Sequence, residues 1–208
     1  MKLIIFDMDG TLVNSGYAIA NTVNHVRVNL GLEKMEHDFI LKNVNDININ
    51  SAEFFYETKD FTVEQTKLFS EYYEKNCLDD LVLYDGIKEL LENFKGEFKF
   101  SVATNANSIY AKKMLNHLEI DKYFSSILGY NDVAKPKPHP DMVHKILDMH
   151  DIKKQNAQLV GDSLKDTTAA FNAGIDSVLV NWGFSDYKEN AINSVDELIK
   201  KIEKKFFI

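Results

Sequence analysis

The sequence has a single cysteine and no long apolar run. Cys77 has no second cysteine with which to form an intramolecular disulfide, which is typical of proteins in a reducing cytoplasm, and its aromatic-rich surroundings predict a buried structural thiol. No stretch approaches the roughly 18 consecutive apolar residues of a membrane span. The apolar residues 3–6 are too few for the hydrophobic region of a signal peptide, because Asp7 ends them. We therefore expect a cytoplasmic protein with no membrane partner.

Positive charge is also scarce. The chain has 24 basic and 32 acidic residues and a formal net charge of −8, and Arg27 is its only arginine. Because binding to a phosphate backbone requires a basic face, we expect no nucleic-acid partner. One lysine-rich run is assigned to the solvated side of a C-terminal helix: Lys200, Lys201, Lys204 and Lys205. An acidic protein that handles an anionic substrate needs local positive charge, and a metal ion is its simplest source.

The sequence contains short runs of β-branched and aromatic residues that alternate with stretches of helical periodicity. The predicted strands are residues 3–6, 99–104, 126–129, 158–161 and 177–181. Apolar residues recur with helical spacing in residues 86–94 and 141–150. This alternation predicts an α/β fold: a Rossmann-like parallel sheet with helices on both faces.

The segment between Asp7 and Asp85 departs from this alternation. It contains four helical periods and no convincing strand; the periods lie at residues 17–30, 36–42, 52–56 and 63–77. Such a length is far beyond an ordinary crossover connection. We therefore predict an inserted helical subdomain over residues 15–80 and a core domain formed by residues 1–14 and 81–208. The polar stretch "NVNDININ", residues 43–50, is predicted to be a loop inside the insertion.

Reactive side chains follow four of the predicted strands. In chain order they are Asp7 and Asp9, then Thr104 and Asn105, then Lys135 in "AKPKPHP", then Asp162 and Asp166 in "VGDSLKD". In an open parallel sheet, ligands bind outside the carboxyl ends of the strands. These four loops are therefore expected to open onto one crevice.

The residue types in this set indicate phosphoryl transfer. The carboxylates of Asp7 and Asp162, with a backbone carbonyl and water, suit Mg²⁺, which prefers oxygen ligands. A carboxylate can also attack phosphorus to form an aspartyl-phosphate. A hydroxyl and an ammonium, from Thr104 and Lys135, would hold the phosphoryl oxygens as charge is redistributed.

The smaller contributions at the site are open to more than one interpretation. Gly10 would let the backbone turn tightly, and its N–H and that of Met8 could donate to a phosphate. Asn105 either contacts the phosphate or forms a turn. His139 either touches the substrate or begins a helix after Pro138.

Four short motifs, in this order, resemble those of the haloacid dehalogenase-like (HAD) phosphatase superfamily: "DMDGT", "ATN", "KPKP" and "GDSLKD". The helical insertion resembles the C1-type cap of that superfamily. Within it, the stretch from "DGTLVNS" to "GDSLKDTTAAFNAG" is most similar to phosphoglycolate-phosphatase-like enzymes. The resemblance implies a phosphoric monoester hydrolase that uses Mg²⁺ and an aspartyl-phosphate to hydrolyse a small phosphorylated metabolite, as a monomer or weak homodimer.

The resemblance also implies a role for each residue. Asp7 is the nucleophile, Asp9 the general acid and base, and Thr104 and Lys135 hold the phosphate and the nucleophile. The implied metal site consists of Asp7, the carbonyl of Asp9, Asp162 and the supporting Asp166. The implied phosphate contacts are Met8, Gly10, Thr104, Asn105 and Lys135.

The sequence departs from the family pattern at several positions, none of which removes a residue that the chemistry needs. Asn14 stands where such phosphatases usually have Asp. Ile19 lies where the related phosphosugar mutases carry a histidine, which disfavours the alternative of a mutase. The loop at residues 43–50 lacks a glycine-rich recognition stretch, so the substrate stays open. Arg27 and Lys42 could bind a substrate carboxylate, but a solvated helix face is the preferred interpretation.

A function of another class is also considered. A phospho-accepting signalling or binding module uses clustered Asp, Thr and Lys on a parallel α/β sheet, but it is shorter and has no helical insertion. A catalytically silent relative would be expected to have lost one of the acidic or basic site residues, and all of them are present.

Overall fold

The computed structural model describes residues 1–184, 187 and 189–207. The strands are β1 (Lys2–Phe6), β2 (Val13–Asn14), β3 (Val82–Leu83), β4 (Phe98–Ala103), β5 (Phe124–Leu128), β6 (Ala157–Gly161), β7 (Asp176–Val180) and β8 (Ala191–Ile192). The longer helices are α1 (Gly16–Asn29), α2 (His37–Val44), α3 (Ser51–Tyr56), α4 (Val63–Asn76), α5 (Ile87–Phe94), α6 (Ser108–His117), α7 (Asp141–His150), α8 (Leu164–Ala173) and α9 (Val195–Phe206).

Six strands form one parallel sheet in the order β5-β4-β1-β6-β7-β8. The chain builds outward from β1 to β4 and β5, then returns to the other side of β1 with β6. The order of the strands therefore reverses between β1 and β6. In open α/β sheets the ligand-binding crevice lies at such a reversal.

Strand β1 lies at the centre of the core because its two faces pack against different helices. Ile4 and Phe6 join the apolar cluster built with α5, α6 and α9. Leu3 and Ile5 point the other way, into the cluster built with α7 and α8. All four are fully buried, as expected for a strand covered on both faces. The predicted α/β fold is confirmed.

The four helical periods predicted before residue 85 are helices α1 to α4. They share an apolar cluster of their own, which includes Val23, Val26, Ile40 and Phe55. The expectation that this segment has no strand is wrong at its two ends, where β2 and β3 pair antiparallel. Each of these strands has two residues, which is too short for an alternation to be read from the sequence.

Arg27 lies inside the insertion and not on a solvated face. It is buried, its Nε donates to the carbonyl of Glu33 at 2.7 Å, and its Nη1 donates to that of Phe55 at 2.5 Å. Both interpretations of this residue from sequence are therefore wrong, because its guanidinium joins the connection between α1 and α2 to helix α3. None of the described helices combines the length and apolar composition that a bilayer crossing requires.

Candidate active site

The site forms where β1 and β6 lie side by side at the reversal of strand order. Asp7 follows β1 and Asp162 follows β6, and the N–H of Asp7 donates to the carbonyl of Val160 at 2.8 Å. Parallel pairing of these strands brings the two carboxylates to the same edge of the sheet. The predicted meeting of the first and fourth loops is found in the structure.

A buried lysine joins the first, third and fourth loops, and it is Lys137. Its ammonium donates to Asp7 Oδ1 at 2.7 Å and to Asp166 Oδ1 at 2.5 Å, and all three side chains are almost completely buried. Burial lowers the pKa of Lys137, but the charges of Asp166 and Asp7 outweigh it, so the net shift is upward. The lysine is therefore held as a cation between two carboxylates.

The prediction that Lys135 provides this ammonium is wrong. Lys135 is exposed, and its backbone N–H donates to Asp141 Oδ2 at 3.1 Å. The two lysines of "KPKP" are indistinguishable in sequence, since each precedes a proline. What separates them is a contact from a loop about thirty residues away, which only the fold provides.

That contact comes from Asn105. Its Oδ1 accepts from the N–H of Lys137 at 3.0 Å, and its Nδ2 donates to the carbonyl of Lys137 at 2.8 Å. Pro136 and Pro138 have no N–H, so Lys137 carries the one backbone donor of this tripeptide. Both ends of the Asn105 amide are engaged with Lys137, so the structure does not support the expected phosphate contact of this side chain.

Asp9 lies beside two hydroxyl groups. Ser15 Oγ donates to its Oδ1 at 2.5 Å, and Thr104 Oγ1 is 3.4 Å from its Oδ2. Burial raises the pKa of Asp9, and the hydrogen bond from Ser15 and the charge of Lys137 oppose the shift. A raised pKa allows a carboxyl group to give and take a proton near neutral pH. Ser15 was missed from sequence, because a serine before a helix is ordinarily a capping residue.

The carboxyl group of Asp7 is also perturbed. Burial raises its pKa to about 7, the Lys137 ammonium opposes this, and the charge of Asp166 adds to it. Its Oδ1 is held by Lys137, whereas its Oδ2 accepts no hydrogen bond from the described residues. Oδ1 of Asp7 is thus held by Lys137, and Oδ2 is free to react with a substrate.

Three carboxylates lie close enough together to share a cation. Oxygens of Asp7, Asp162 and Asp166 are all within 4.8 Å of one another, and the three residues are buried. Asp162 Oδ1 has no hydrogen-bond partner among the described residues, and Oδ2 accepts from the N–H of Phe184 at 3.2 Å. Burial, followed by the charges of Asp7 and Asp166, raises the pKa of Asp162 well above its ordinary value. An unpaired buried carboxylate of this kind fits a hard divalent cation such as Mg²⁺.

The oxygens of Asp166 are largely engaged by protein groups. Oδ1 binds Lys137, and Oδ2 accepts from the Oγ and N–H of Ser163 at 2.6 and 3.1 Å. These contacts match a residue that supports the lysine and the surrounding carboxylates.

Position 10 has no room for a side chain, because the acidic cluster packs closely against it. The φ of Gly10 is +82°, and a Cβ there would lie 2.2 Å from Asp162 Oδ2. Its N–H donates to the carbonyl of Val13 at 2.9 Å, so it does not serve as the expected phosphate donor. The N–H of Met8 makes no hydrogen bond within the described part of the chain and can serve.

His139 lies outside this cluster. It is exposed, and its Nδ1 is 2.6 Å from Asp141 Oδ1, next to the start of α7. The structure therefore supports the interpretation of a residue near a helix start over that of a substrate contact.

Comparisons with known proteins show the family to which the chain belongs. The family model described as haloacid dehalogenase-like hydrolase matches residues 4–180. The chain is 33% identical to a phosphoglycolate phosphatase of Mannheimia succiniciproducens, over 88% of this chain and 87% of that protein. It is 29% identical to a phosphoglycolate phosphatase of Aquifex aeolicus, over 98% and 97% of the two chains. A crystal structure of a predicted phosphatase from Clostridium acetobutylicum superposes with a TM-score of 0.86 at 26% identity, covering 98% of each chain.

Proposed function

Because this chain belongs to the haloacid dehalogenase-like hydrolase family, we propose that it hydrolyses a small phosphomonoester through an aspartyl-phosphate on Asp7, with Mg²⁺ as cofactor. Like the phosphoglycolate phosphatases to which it is similar, it is a phosphoric monoester hydrolase. The observation that carries the proposal is the buried contact of Asp7 with Lys137 beside Asp162, which fixes one oxygen of a carboxylate and leaves the other open.

In the first step the free oxygen of Asp7 attacks phosphorus and the bond to the leaving oxygen breaks. The carboxylic acid form of Asp9 gives its proton to that oxygen, so an alcohol departs. Thr104 and the N–H of Met8 donate to the phosphoryl oxygens, and Lys137 neutralises the carboxylate that attacks.

In the second step water attacks the phosphorus of the aspartyl-phosphate. Asp9, now a carboxylate, takes the proton from that water, and inorganic phosphate leaves with the carboxylate of Asp7 restored. Bound through Asp7, the carbonyl of Asp9 and Asp162, with Asp166 in support, Mg²⁺ would offset the repulsion between carboxylates and phosphate.

The helices α1 to α4 would act as a cap that selects the substrate. The insertion at residues 15–80 begins at Ser15, which is bonded to Asp9, so it is attached directly beside the proposed general acid. A lid in this position excludes water and contacts the leaving group while the sheet performs the chemistry. A phosphosugar mutase would use the same sheet, but no histidine stands in the region of Ile19.

The proposal is tested by measuring phosphate release from phosphoglycolate and from an aryl phosphate, with Mg²⁺ and with excess chelator. We expect many turnovers with Mg²⁺ and none after chelation. Asp7→Asn should lower turnover by at least about 10³-fold, whereas the exposed control Asp148→Asn should retain it. Label trapped from substrate should be found on Asp7.

A stoichiometric phosphorylation without turnover would favour the signalling module instead. Label on Asp9, or full activity in chelator, would contradict the mechanism.

A further inference from the structure

A short segment after β7 contacts both the acidic cluster and the inserted helices. It consists of Trp182, Gly183 and Phe184. The indole Nε1–H of Trp182 donates to the carbonyl of Thr11 at 3.0 Å, which attaches the segment to the loop after β1. A Cβ added at Gly183 would lie 2.3 Å from the carbonyl oxygen of Gly10, so the backbone of the segment packs directly on that loop.

Phe184 orients the carboxylate of Asp162. Its backbone N–H donates to Asp162 Oδ2 at 3.2 Å, and Oδ1 has no hydrogen-bond partner in the described part of the chain. One oxygen of the carboxylate is therefore engaged by the protein and the other is available to a cation. Altering a group that holds a metal ligand in this way typically weakens metal binding.

The ring of the same residue lies against the insertion. A Cβ added at Gly16, the first residue of α1, would lie 3.2 Å from Phe184 Cε1 and 2.9 Å from Leu41 Cδ1 of α2. Both side chains therefore pack on Gly16, which has no side chain to keep them apart. Phe184 thus contacts a proposed metal ligand through its backbone and the insertion through its ring.

The junction between α2 and the core is open beside this ring. A cavity of about 250 Å³ is lined by Asp38 and Lys42 of α2, by Tyr84 and Trp182 of the core, and by Phe184 itself. Because closely packed interfaces resist movement, an open junction of this size leaves α2 freer to shift relative to the sheet. The position of the Phe184 ring, and with it the direction of its N–H, would follow such a shift.

We propose that Phe184 is a positioning residue that couples the metal site to the insertion. When α2 packs on its ring, its N–H is fixed toward Asp162, so less conformational freedom is lost as a cation binds. By linkage, a cation bound at Asp162 favours the packed position of α2 to the same extent. The inference rests on the proposed Mg²⁺-dependent function and adds to it a mutual dependence of the metal and the insertion.

The test measures the Kd of Mg²⁺ by calorimetric titration of the substrate-free protein. Phe184→Ala keeps the backbone N–H and removes the ring, and it should raise Kd about 10- to 100-fold. Leu41→Ala, which alters the insertion alone, should raise Kd about 5-fold or more. The double variant should bind Mg²⁺ no more weakly than Phe184→Ala, because both changes remove the same contact. Phe184→Tyr retains the ring and should keep Kd near the wild-type value.

Two matched variants serve as controls. Phe171→Ala removes an exposed phenylalanine of α8. Leu68→Ala removes a half-buried leucine of α4 that packs on the apolar cluster within the insertion. Both should leave the Kd of Mg²⁺ unchanged, although Leu68→Ala should lower stability.

Hydrogen exchange provides the reciprocal measurement. Mg²⁺ should slow the exchange of the α2 amides in the wild type and have little effect on them in Phe184→Ala. The turnover lost in Leu41→Ala should also be restored as the concentration of Mg²⁺ is raised, which the loss of a substrate contact from the insertion would not show.

A Kd unchanged by both Phe184→Ala and Leu41→Ala, in a protein that hydrolyses phosphate esters, would overturn the inference and leave the proposed function intact. A Kd raised by Phe184→Ala alone, with α2 exchange insensitive to Mg²⁺, would overturn it too, because Phe184 would then act on the metal site without the insertion. A wild-type protein that binds no Mg²⁺ would contradict the proposed function and the inference together.

Discussion

At the scale of single residues, the arrangement of Lys137 depends on one amide side chain. Asn105 pairs with both backbone groups of Lys137, in a tripeptide whose prolines offer no other donor. The pairing fixes which lysine of "KPKP" turns inward. We therefore expect Asn105 to act on the proposed reaction by positioning Lys137 and not by contacting the substrate.

We predict that Asn105→Ala lowers kcat about 10- to 100-fold, because small displacements of a positioned group have effects of that size. The double variant Asn105→Ala with Lys137→Ala should be no slower than Lys137→Ala alone. This non-additivity is expected only if the amide acts through the lysine. Steady-state kinetics of the wild type, the two single variants and the double variant provide this double-mutant cycle.

The control for this cycle is Asn107→Ala, which removes the cap of α6, where Asn107 Oδ1 accepts from the N–H of Ile109 at 2.9 Å. It should lower stability and leave kcat near the wild-type value. Additive losses for Asn105 and Lys137 would contradict the positioning role.

The types of residue at the site could be predicted from the sequence. Several of the contacts between these residues and their neighbours could not. Asp7, Asp9, Asp162 and Asp166 follow buried strands, so strand order alone brings them together. The choice between Lys135 and Lys137, and the contacts of Asn105 and Ser15, depend on the packing of one loop on another. No periodicity or spacing in the chain records such contacts.

At the scale of secondary structure elements, the end of α7 is tied to the sheet by hydroxyl groups. His150 Nε2 lies 3.2 Å from Ser101 Oγ on β4 and 3.1 Å from Ser126 Oγ on β5. Ser126 Oγ also donates to Ser101 Oγ at 2.9 Å. Burial, with the charge of Lys99, lowers the pKa of His150 in the folded protein.

This shift predicts a dependence of stability on pH. Because the folded state disfavours the charged imidazole, the unfolded state binds more protons as the pH falls through about 6.5, and the free energy of unfolding decreases. His150→Gln should show a smaller decrease between pH 8 and pH 5 than the wild type. Urea unfolding at the two pH values measures it.

The exposed His117 offers a control, since His117→Gln should keep the wild-type pH dependence. If His150→Gln loses as much stability on acidification as the wild type does, the assignment to His150 is wrong.

The sequence predicts long elements better than short ones. The helix over residues 141–150 has a clear apolar period and the first strand is a continuous apolar run, and both are found within a residue of their predicted ends. Strands β2, β3 and β8 have two residues each, so their hydrogen bonds are decided by neighbouring strands.

At the scale of the whole molecule, a metal should alter stability as well as activity. Asp162 Oδ1 is buried without a hydrogen-bond partner among the described residues, and an unpaired buried carboxylate destabilises the fold. A cation that binds only the folded state stabilises it by mass action, by about 2.7 kcal/mol at a hundredfold excess over Kd.

We therefore predict that Mg²⁺ raises the Tm of the wild type. Asp162→Asn should raise the Tm of the metal-free protein and abolish the further increase with Mg²⁺, because the unpaired charge and a ligand are lost together. Thermal unfolding with and without Mg²⁺ checks both effects. A metal-free Asp162→Asn protein less stable than the wild type would contradict the prediction.

The position of β1 at the centre of the sheet also has a consequence for biosynthesis. Leu3 pairs with Lys99 on one side and with Ala157 on the other, so this apolar strand leaves the ribosome well before either neighbour exists. At about 5–20 residues per second, the wait for β6 lasts on the order of ten seconds or more. Throughout that interval the unpaired backbone groups along both edges of β1 must be shielded from pairing with other chains. The nascent chain is therefore expected to bind chaperones.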